Sequence, residues 1–354
     1  MTKLPAKPVV TILGAGLVGC YVGGMLASRG NDVRFFGREN MGEQVTKNGM
    51  ALSSHDTPSR FIPGETINWI CDASQLVHSD LVVVCVKSND TIKAAEMIDK
   101  YCKAGTTIFS FQNGVGNGKT LRQNVRDKLV LAAMVGFNIV RFDDQQPRFH
   151  CGTEGEIIIQ NHDHAKYLTG ILNEADIISR TDNDIQSILW GKLILNLNNG
   201  VNVLSGLPLK TQLENRYYRK ILAFCMEEAL AVIKLSGIKP AKIGKVKPEI
   251  IPTLLRLPNL VFKILASGML KVDEDARSSM WEDFATGRRS EIDYLNGAVC
   301  KLGAELDIST PVNDKMVELV NLKFGGKKLN SSTGREFYDV ILRAKHGLGK
   351  NETA

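Results

Sequence analysis

Lysine and asparagine recur at helical spacing in an otherwise apolar segment, residues 189–199. At about 100° per residue, Lys192, Asn196 and Asn199 fall in one narrow stripe that isoleucine and leucine border on both sides. Burying such groups without partners is costly, so we expect the stripe to line a polar cleft or to contact a ligand. A lysine ammonium beside a carbonyl can donate a proton as hydride reaches the carbon, especially if desolvation lowers its pKa. The plainer alternative is a lysine whose stem is buried while its charge reaches water.

A glycine-rich turn near the N-terminus is the second candidate for chemistry. This GxGxxG motif follows a predicted strand, opens a predicted helix, and comprises Gly14, Ala15, Gly16, Leu17, Val18 and Gly19. Its first glycine allows a tight turn, its second lets the backbone approach a pyrophosphate, and its third permits close packing of helix on strand. The helix N-terminus offers N–H groups and a positive dipole end to phosphates. The motif therefore predicts a dinucleotide site.

The end of the second predicted strand indicates which dinucleotide is bound. Sites for NAD usually place an acidic residue there, about 20 residues after the glycines, to bind the ribose 2′-hydroxyl. This chain has Arg38 instead. A guanidinium can hold a 2′-phosphate with two hydrogen bonds, so we predict NADPH as the cofactor. The alternative is a surface arginine that pairs with Glu39.

Strands and helices alternate in the first half of the chain. Short runs rich in Val, Ile and Leu predict strands at residues 9–13, 32–36, 81–86, 106–111 and 129–135. Such runs are typical of strands buried on both faces of a parallel sheet. Residues 17–29 predict the first helix, and residues 148–155 and 156–160 predict an edge hairpin or strand that closes the domain. The predicted fold class is α/β, with a Rossmann-type doubly wound N-terminal domain.

Helical periodicity replaces the strand pattern after residue 181. Helices are predicted at residues 184–204, 216–236, 252–268 and 290–306. We expect an NADP-binding domain at residues 8–183 and an all-α substrate domain at residues 184–324, with the site in the cleft between them. Residues 325–354 are predicted to be a partly disordered tail, with one short amphipathic piece at residues 337–342.

Composition and charge exclude several classes of protein. The 354 residues are 44% hydrophobic and 23% charged, as in globular proteins, and apolar runs such as residues 81–86 are too short to span a bilayer. The net charge of +6 is spread along the chain, which favours small anionic ligands and argues against nucleic acid. No signal-peptide pattern precedes the first strand, and the seven cysteines form no CxxC pair, so we expect the reducing cytoplasm.

Motifs of other enzyme classes are not found. His162, Asp163 and His164 have metal-binding side chains, but no further ligands follow at a useful spacing, so we predict a polar loop and no metal site. No GxSxG, HExxH or P-loop motif occurs in the sequence.

Taken in order along the chain, these motifs resemble the ketopantoate reductase (2-dehydropantoate 2-reductase) family over residues 8–322. The shared features include the glycine-rich turn, the arginine after the second strand and the helix with lysine and asparagine. They also include a lysine after a later strand, Lys87, an Asn-Gly turn at Asn113, and a Glu-Ile-Asp-Tyr segment that begins at Glu291. The resemblance implies NADPH-dependent reduction of ketopantoate to pantoate, a step of pantothenate biosynthesis.

The resemblance also implies roles for single residues. Lys192 would be the general acid that protonates the substrate carbonyl oxygen, and Glu291 would organise the ternary complex and contact the cofactor ribose. Lys87 and Asn113 would hold the nicotinamide half of NADPH. Plainer explanations stay open: Lys87 as a surface residue, and Asn113 as part of a common turn dipeptide. Glu291 would also be favoured by a helix dipole alone, after an N-cap at Ser290.

The same resemblance implies the contacts of a small 2-oxo acid substrate. Asn196 would bind one of its polar groups, Asn113 would also approach it, and Ser279 would meet its carboxylate, although serine pairs like Ser278-Ser279 are common. The other expected partner is a second copy of the chain, in a homodimer.

Three positions depart from the family pattern. Gly200 stands where the family usually has a second asparagine, and Lys210 and Ala276 stand where two other asparagines face the substrate. Asn199 or Asn202 could replace the first of these amides. The departures leave the reduction itself intact and keep a different 2-oxo acid open as the substrate. A non-enzymatic NADPH-binding regulator is the remaining alternative, but such a protein has no need of the lysine–asparagine stripe.

Overall fold

The computed structural model describes residues 4–54, 57–143, 146–242, 246–265, 276–329, 331 and 333–348. The chain divides into two compact units, residues 1–185 and residues 186–354. Within the described residues, no helix has both the length and the apolar character needed to cross a membrane.

An eight-stranded sheet forms the centre of the N-terminal unit. Its strands are β1 (Val10–Leu13), β2 (Val33–Phe36), β5 (Asn68–Ile70), β6 (Leu81–Val84), β7 (Thr107–Ser110), β8 (Leu129–Val135), β11 (Ile157–Gln160) and β12 (Ser179–Asp182). They lie in the order β5-β2-β1-β6-β7-β8-β11-β12, and every pair is parallel except β8 with β11. The order from β5 to β8 is that of a Rossmann domain, whose crevice opens where the strand order reverses, at the carboxyl ends of β1 and β6. The predicted α/β fold class is confirmed.

A second, four-stranded sheet in the same unit has no counterpart in the prediction. Across the sheet its strands are β4 (Arg60–Ile62), β3 (Met50–Ser54), β10 (Pro147–Cys151) and β9 (Ile139–Asp143). Of the edge hairpin or strand predicted at residues 148–155 and 156–160, the hairpin is wrong, because β10 pairs with β3 and β9 while β11 pairs with β8 and β12. Each segment does contain a strand, and β11 belongs to the eight-stranded sheet. Strand propensity marks both segments, but it does not select a partner strand that lies far earlier in the chain.

Helix α1 (Leu17–Ala27) packs against strands of both sheets, which explains why it is apolar on nearly every side. Glycines allow the close approach on each side. A Cβ on Gly23 would lie 2.5 Å from Cε1 of Phe35 on β2, and a Cβ on Gly24 would lie 2.8 Å from Cδ1 of Leu52 on β3. The helix that begins at the glycine-rich turn is therefore held from two sides.

The other helices of this unit are α2 (Glu39–Asn48), α3 (Thr91–Tyr101), α4 (Asn117–Asn124) and α5 (Asp163–Glu174). Ala94 and Ile98 of α3 and Leu121 of α4 share one apolar core with Val82 and Val84 of β6. A larger core on the opposite face includes side chains of α1 and α5. Burial on both faces explains the continuous apolar runs that predicted the parallel strands.

The C-terminal unit is built from helices, which confirms the predicted helical region. They are α6 (Ile185–Asn196), α7 (Asn198–Ser205), α8 (Leu209–Glu214), α9 (Arg216–Leu235), α10 (Ile251–Arg256), α11 (Asn259–Leu265), α12 (Ser279–Ala285), α13 (Asn296–Glu305), α14 (Pro311–Phe324) and α15 (Gly334–Lys345).

Three of the predicted helices have different bounds in the structure. The one predicted at residues 184–204 is interrupted at Leu197 between α6 and α7, and the one at residues 290–306 begins with a short 3₁₀ turn (Ile292–Tyr294) and becomes α-helical only at α13. The one at residues 252–268 is divided between α10 and α11, and its last three residues lie outside the described residues. The break after α10 has a clear cause, because Pro258 has no N–H and holds Leu257 in an extended conformation, with ψ 151°.

The tail that was predicted to be partly disordered contains α15. A capping box begins this helix, with the Thr333 and Glu336 side chains each bonded to the backbone of the other residue. Phe337 and Ile341 are buried, and the helix packs on α9 and α14. The predicted amphipathic piece thus lies within a longer helix, while residues 330, 332 and 349–354 of the tail lie outside the described residues.

The side chain of Arg219, in the first turn of α9, is fully buried. Its guanidinium donates to five oxygens at 2.8 to 3.1 Å, which are the backbone oxygens of Leu213, Glu214, Leu255 and Leu257 and Oδ1 of Asn259. Most of these oxygens lie at the C-terminal ends of α8 and α10, where carbonyls lack helical N–H partners and the helix dipole is negative. One buried cation therefore ties three helices together.

Candidate active site

The glycine-rich turn lies beside the ends of β2 and β6. The N–H groups of Gly14 and Ala15 donate to the Phe36 carbonyl at the end of β2, at 3.0 and 2.9 Å. Gly14 has a φ of +99°, and a Cβ on it would lie 2.6 Å from the backbone nitrogen of Val86. A Cβ on Gly19 would lie 2.6 Å from the Gly14 carbonyl oxygen. Side chains at either position would displace the turn from the sheet.

Gly16 has open space beside its backbone. A Cβ built on it meets no atom of the described residues within 4 Å. Gly16 is the N-cap residue of α1 and gives the helix no side-chain cap, so the N–H groups of the first turn, which includes Leu17 and Val18, face no capping oxygen from that residue. Accessible backbone, N–H groups and the positive end of the helix dipole together fit the pyrophosphate of a dinucleotide.

Arg38 lies at the end of β2 and is exposed. Its carbonyl accepts from the N–H groups of Met41 and Gly42, both at 3.1 Å, so its backbone is anchored at the start of α2. Within the described residues Arg38 forms no ion pair with Glu39, so the structure does not support the predicted alternative of a paired surface arginine. Its guanidinium is available to an anionic ligand.

Lys87 and Asn113 follow neighbouring parallel strands. Val84 of β6 pairs in register with Ser110 of β7, so both loops leave the same edge of the sheet. Lys87 is half-buried and Asn113 is exposed. The close approach of Gly14 to the segment before Lys87 adds the glycine-rich turn to the same edge. The structure therefore brings together, at the switch point of the sheet, the residues of this unit that the sequence predicts for the cofactor.

Sequence reasoning missed the polar side chains beneath these two loops. Ser88, Thr91, Gln112 and Asn117 are all buried and bonded to one another or to the loop backbone. Gln112 stands next to the Asn-Gly turn, which was the only available signal. Sequence alone does not distinguish a buried glutamine from an exposed one.

Lys192 lies in the second half of α6 and is half-buried. Its neighbours Ile188, Leu189 and Leu193 on the helix are buried. Desolvation lowers the pKa of Lys192 from the usual 10.5 to about 8. A lysine with that pKa holds a proton at neutral pH and releases it much more readily than an exposed lysine does. Asn196, one turn later, is also half-buried.

The predicted stripe does not continue unbroken to its last residue. Leu197 separates α6 from α7, although its φ of −58° and ψ of −22° remain helical, and Asn199 lies half-buried on α7. Asn202 is fully buried; it donates to the Leu207 carbonyl at 2.9 Å and accepts from the Ser278 N–H at 3.0 Å. The prediction that Asn202 could replace a family amide at the substrate is therefore wrong, because its amide is used to join α7 to α12.

Ser279 belongs to α12, which packs against α7, and Glu291 precedes a turn whose Ile292 lies beside Gly200 of α7. Ser278 is the N-cap of α12 and accepts a backbone hydrogen bond, whereas Ser279 is the half-buried first residue of that helix. Glu291 is only 7% exposed and precedes a short 3₁₀ turn. The hydroxyl of Ser290 accepts from the N–H two residues later, at 3.1 Å. A local cap by the Ser290 hydroxyl thus begins the turn that follows Glu291.

The three departures from the family pattern have two different surroundings. Gly200 is buried, and a Cβ on it would lie 3.1 Å from Cδ1 of Ile292 and 3.2 Å from Cε of Met316. A glycine there lets α7 approach the turn after Glu291. Lys210 and Ala276 lie close together, since the N–H of Leu209 donates to the Ala276 carbonyl at 2.8 Å. Two of the altered side chains therefore belong to one patch of the unit.

The histidines of the candidate metal motif take part in local structure. Nδ1 of His162 accepts from the His164 N–H at 3.1 Å and so caps α5. Nδ1 of His164 lies 2.7 Å from the hydroxyl oxygen of Thr107. The described residues contain no cluster of three or more side chains suited to a metal ion.

Several known proteins are similar to this chain over most of its length. A 2-dehydropantoate 2-reductase of Halobacterium salinarum is 25% identical over 318 residues, which cover 88% of this chain and 98% of that protein. A PanE/ApbA family ketopantoate reductase from Ralstonia eutropha JMP134 is 29% identical, with a TM-score of 0.75 over 90% of this chain and 98% of its own. A D-mandelate dehydrogenase, solved with NADH and anilino(oxo)acetate, is 19% identical with a TM-score of 0.72 over 90% and 98%, a likeness of fold alone.

Family models match both units. Residues 10–164 match the model of ketopantoate reductase PanE/ApbA, and residues 184–324 match that of the ketopantoate reductase PanE/ApbA C terminal. Together the two matches span well over half of the chain, and they confirm the resemblance found in the sequence. The chain belongs to the PanE/ApbA family of ketopantoate reductases, which are oxidoreductases.

Proposed function

We propose that the chain is an NADPH-dependent reductase that converts ketopantoate to pantoate, the reduction used in pantothenate biosynthesis. The observation that carries the proposal is Lys192, a half-buried lysine whose pKa is lowered to about 8 by desolvation. An ammonium with that pKa is well suited to protonate a carbonyl oxygen near neutral pH. Membership of the family supports the choice of a 2-oxo acid as the substrate.

Several of the predicted residues would hold the cofactor. The open backbone at Gly16 and the start of α1 fit the pyrophosphate, and the exposed guanidinium of Arg38 fits the 2′-phosphate. Lys87 and Asn113 would contact the nicotinamide half, and Glu291 the ribose. When bound, the reduced nicotinamide supplies the hydride that adds to the 2-keto carbon.

Lys192 would move the proton of the reaction. As hydride adds to the 2-keto carbon, the π bond of the carbonyl breaks and negative charge develops on oxygen. The ammonium stabilises this charge and donates its proton to the oxygen, which becomes the hydroxyl of the product. The neutral amine then takes a proton from water. Asn196 would bind a polar group of the substrate and Ser279 its carboxylate.

An assay of NADPH oxidation with a panel of 2-oxo acids tests the proposal. We expect kcat/KM for ketopantoate to exceed that for pyruvate, 2-oxoglutarate or benzoylformate by at least about 10-fold, because a site shaped for one side chain discriminates by roughly that factor per group. The same panel with NADH measures cofactor preference. If NADPH binds but no 2-oxo acid is reduced, the chain is a binding protein and the reductase proposal fails.

Reduction of a different 2-oxo acid is the second candidate function. Gly200, Lys210 and Ala276 stand where the family resemblance predicts amides that face the substrate, and Asn202 is committed to structure. Asn199 is the one amide among the predicted substitutes that keeps a half-exposed side chain. A higher kcat/KM for another acid of the panel, with kcat of the order found in ordinary enzymes, would favour this candidate over ketopantoate.

Replacing Arg38 by alanine tests the choice of NADPH. We expect the Kd of NADPH to rise roughly 10- to 100-fold, because two charge-assisted hydrogen bonds to the 2′-phosphate are lost, while the Kd of NADH changes by less than about 2-fold. Titration of each dinucleotide by fluorescence gives both values.

A matched control for this variant is Arg126→Ala. Arg126 has a side chain that is 84% exposed and lies before β8, at the opposite edge of the parallel sheet. We expect it to leave both dissociation constants unchanged. Equal weakening of NADPH and NADH by Arg38→Ala would contradict a 2′-phosphate contact.

A further inference from the structure

A network of buried polar side chains lies beneath the loops that follow β6 and β7. Each member is between 1% and 6% exposed, and the members are Ser88, Thr91, Ser110, Gln112 and Asn117. Polar groups at this depth are retained only with hydrogen-bond partners, and a fully bonded network holds a single geometry. None of these residues belongs to the proposed cofactor or substrate contacts.

Gln112 and Thr91 hold the loop that carries Lys87. Nε2 of Gln112 donates to the Val86 carbonyl at 3.2 Å and to the Thr91 hydroxyl at 2.7 Å. The Thr91 hydroxyl lies 2.8 Å from the Ser88 carbonyl, to which it can donate. The carbonyl before Lys87 and the carbonyl after it are therefore both bonded to side chains of the network.

Asn117 holds the turn that carries Asn113. Its Nδ2 donates to the Asn113 carbonyl at 2.7 Å and to the Ser88 hydroxyl at 3.2 Å. Its Oδ1 lies 3.0 Å from the Thr91 hydroxyl. Thr91 thus accepts from Gln112 on one side and can donate towards Asn117 or the Ser88 carbonyl on the other. The Thr91 hydroxyl is thus one link between the two loops, and the Ser88 hydroxyl, which donates to the Asn113 carbonyl at 3.2 Å, is another.

We propose that Thr91, Gln112 and Asn117 are positioning residues, which set the separation of Lys87 and Asn113 for the nicotinamide half of the dinucleotide. The inference rests on the proposed function, in which those two side chains contact that half. Groups that orient a reacting ring must be held to within about 0.5 Å, and bonds from buried side chains to the loop backbone provide this. The network bonds to the loops after β6 and β7, whereas the adenine half is expected at the turn after β2.

The test replaces Thr91 by valine, which keeps the shape of the side chain and removes the hydroxyl. Two ligands are titrated by fluorescence or calorimetry: NADPH, and adenosine 2′,5′-bisphosphate, which has only the adenine half. We expect the Kd of NADPH to rise about 10-fold, because a displaced Lys87 would lose its charge-assisted contact with the nicotinamide half, which is worth about that factor. The Kd of the bisphosphate should change by less than about 2-fold. Thr91→Ser, which keeps the hydroxyl, should restore both values.

Thr106→Val is the matched control for loss of a buried threonine hydroxyl. Thr106 is 1% exposed, precedes β7 at the opposite end of the strand, and donates to the Ser79 and Lys103 carbonyls. It should lower the thermal midpoint to a similar extent and leave both dissociation constants unchanged. Ser110→Ala, which removes only the 3.0 Å bond to Oε1 of Gln112, is a milder second variant that should weaken NADPH by about 3-fold.

Two results would overturn the inference. One is a Thr91→Val protein that binds NADPH as tightly as the Thr106→Val protein does. The other is equal weakening of NADPH and the bisphosphate, which indicates a general loss of structure. If the wild-type chain binds no NADPH, the proposed function fails and this inference fails with it. Binding of NADPH by the wild type without turnover leaves the comparison of dissociation constants intact and overturns only the proposed reaction.

Discussion

Replacing Lys192 by alanine is expected to lower kcat by about 1000-fold, since a positioned general acid contributes 100- to 10,000-fold. Desolvation already disfavours the ammonium, so its removal should not destabilise the unit. The Kd of NADPH should change by less than about 3-fold. Steady-state kinetics with ketopantoate and titration with NADPH measure the two quantities.

Two further lysine variants make the result specific. Lys301→Ala, on the exposed surface of α13, should keep full turnover. Lys192→Arg keeps the positive charge, but a guanidinium does not release its proton near neutral pH. We expect this variant to remain nearly as slow as Lys192→Ala. Full turnover by Lys192→Ala would exclude this lysine as the acid, and recovery by Lys192→Arg would show that charge alone is sufficient.

The pH dependence of the wild-type enzyme follows from the same pKa. Because burial lowers the pKa of Lys192 to about 8, the protonated fraction is nearly complete below that pH and falls as the pH rises through it. We expect kcat/KM for reduction to be level at lower pH and to fall about 10-fold per unit above pH 8. Lys192→Arg should lack this fall. A level profile up to pH 10 would contradict the assignment.

Replacing Arg219 by methionine is expected to lower the free energy of unfolding by about 3 kcal/mol, although the new side chain has similar length. The five oxygens that the guanidinium now bonds would lose their donor in a buried place, and the contact with Phe262, 4.1 Å from ring centroid to Cζ, would also be lost. The thermal midpoint should fall by roughly 6–12 °C. Calorimetry or circular dichroism gives both values.

Arg216→Met is the matched control, since Arg216 lies one turn earlier on α9, is exposed, and donates only a single 3.2 Å hydrogen bond to the Arg256 carbonyl among the described residues. It should change the free energy of unfolding by less than about 0.5 kcal/mol. A midpoint for Arg219→Met within 2 °C of the control would show that the two helix ends do not need this cation.

The fold class could be predicted because its signals are local. The GxGxxG turn between a strand and a helix, the apolar runs of β1, β6, β7 and β8, and the change to helical periodicity before α6 each occupy a few consecutive residues. The second sheet could not be predicted, because β3 pairs with β10, a strand far along the chain, and nothing in the sequence of either strand identifies its partner. The hairpin assigned to residues 148–160 failed for the same reason.

Most candidate site residues could be named for the same local reasons, but their surroundings could not. Lys192 and Asn196 stood out by helical spacing, while the lowered pKa of Lys192 depends on how much protein surrounds its ammonium. Asn202 and Asn199 looked equivalent as replacement amides. Packing of α7 against α12 buries Asn202 and leaves Asn199 half-exposed.

By itself the sequence determined which side chains are present, their order, and the short-range geometry that places a glycine turn at a helix start and a lysine one turn before an asparagine. Only the tertiary structure decided that Thr91, Gln112 and Asn117 meet under two loops, and that Arg219 bonds the ends of two other helices. The physical reason is the distance along the chain over which each effect acts. Backbone propensity and periodicity act over a few residues, whereas desolvation and hydrogen bonding depend on atoms that folding brings together from distant parts of the chain.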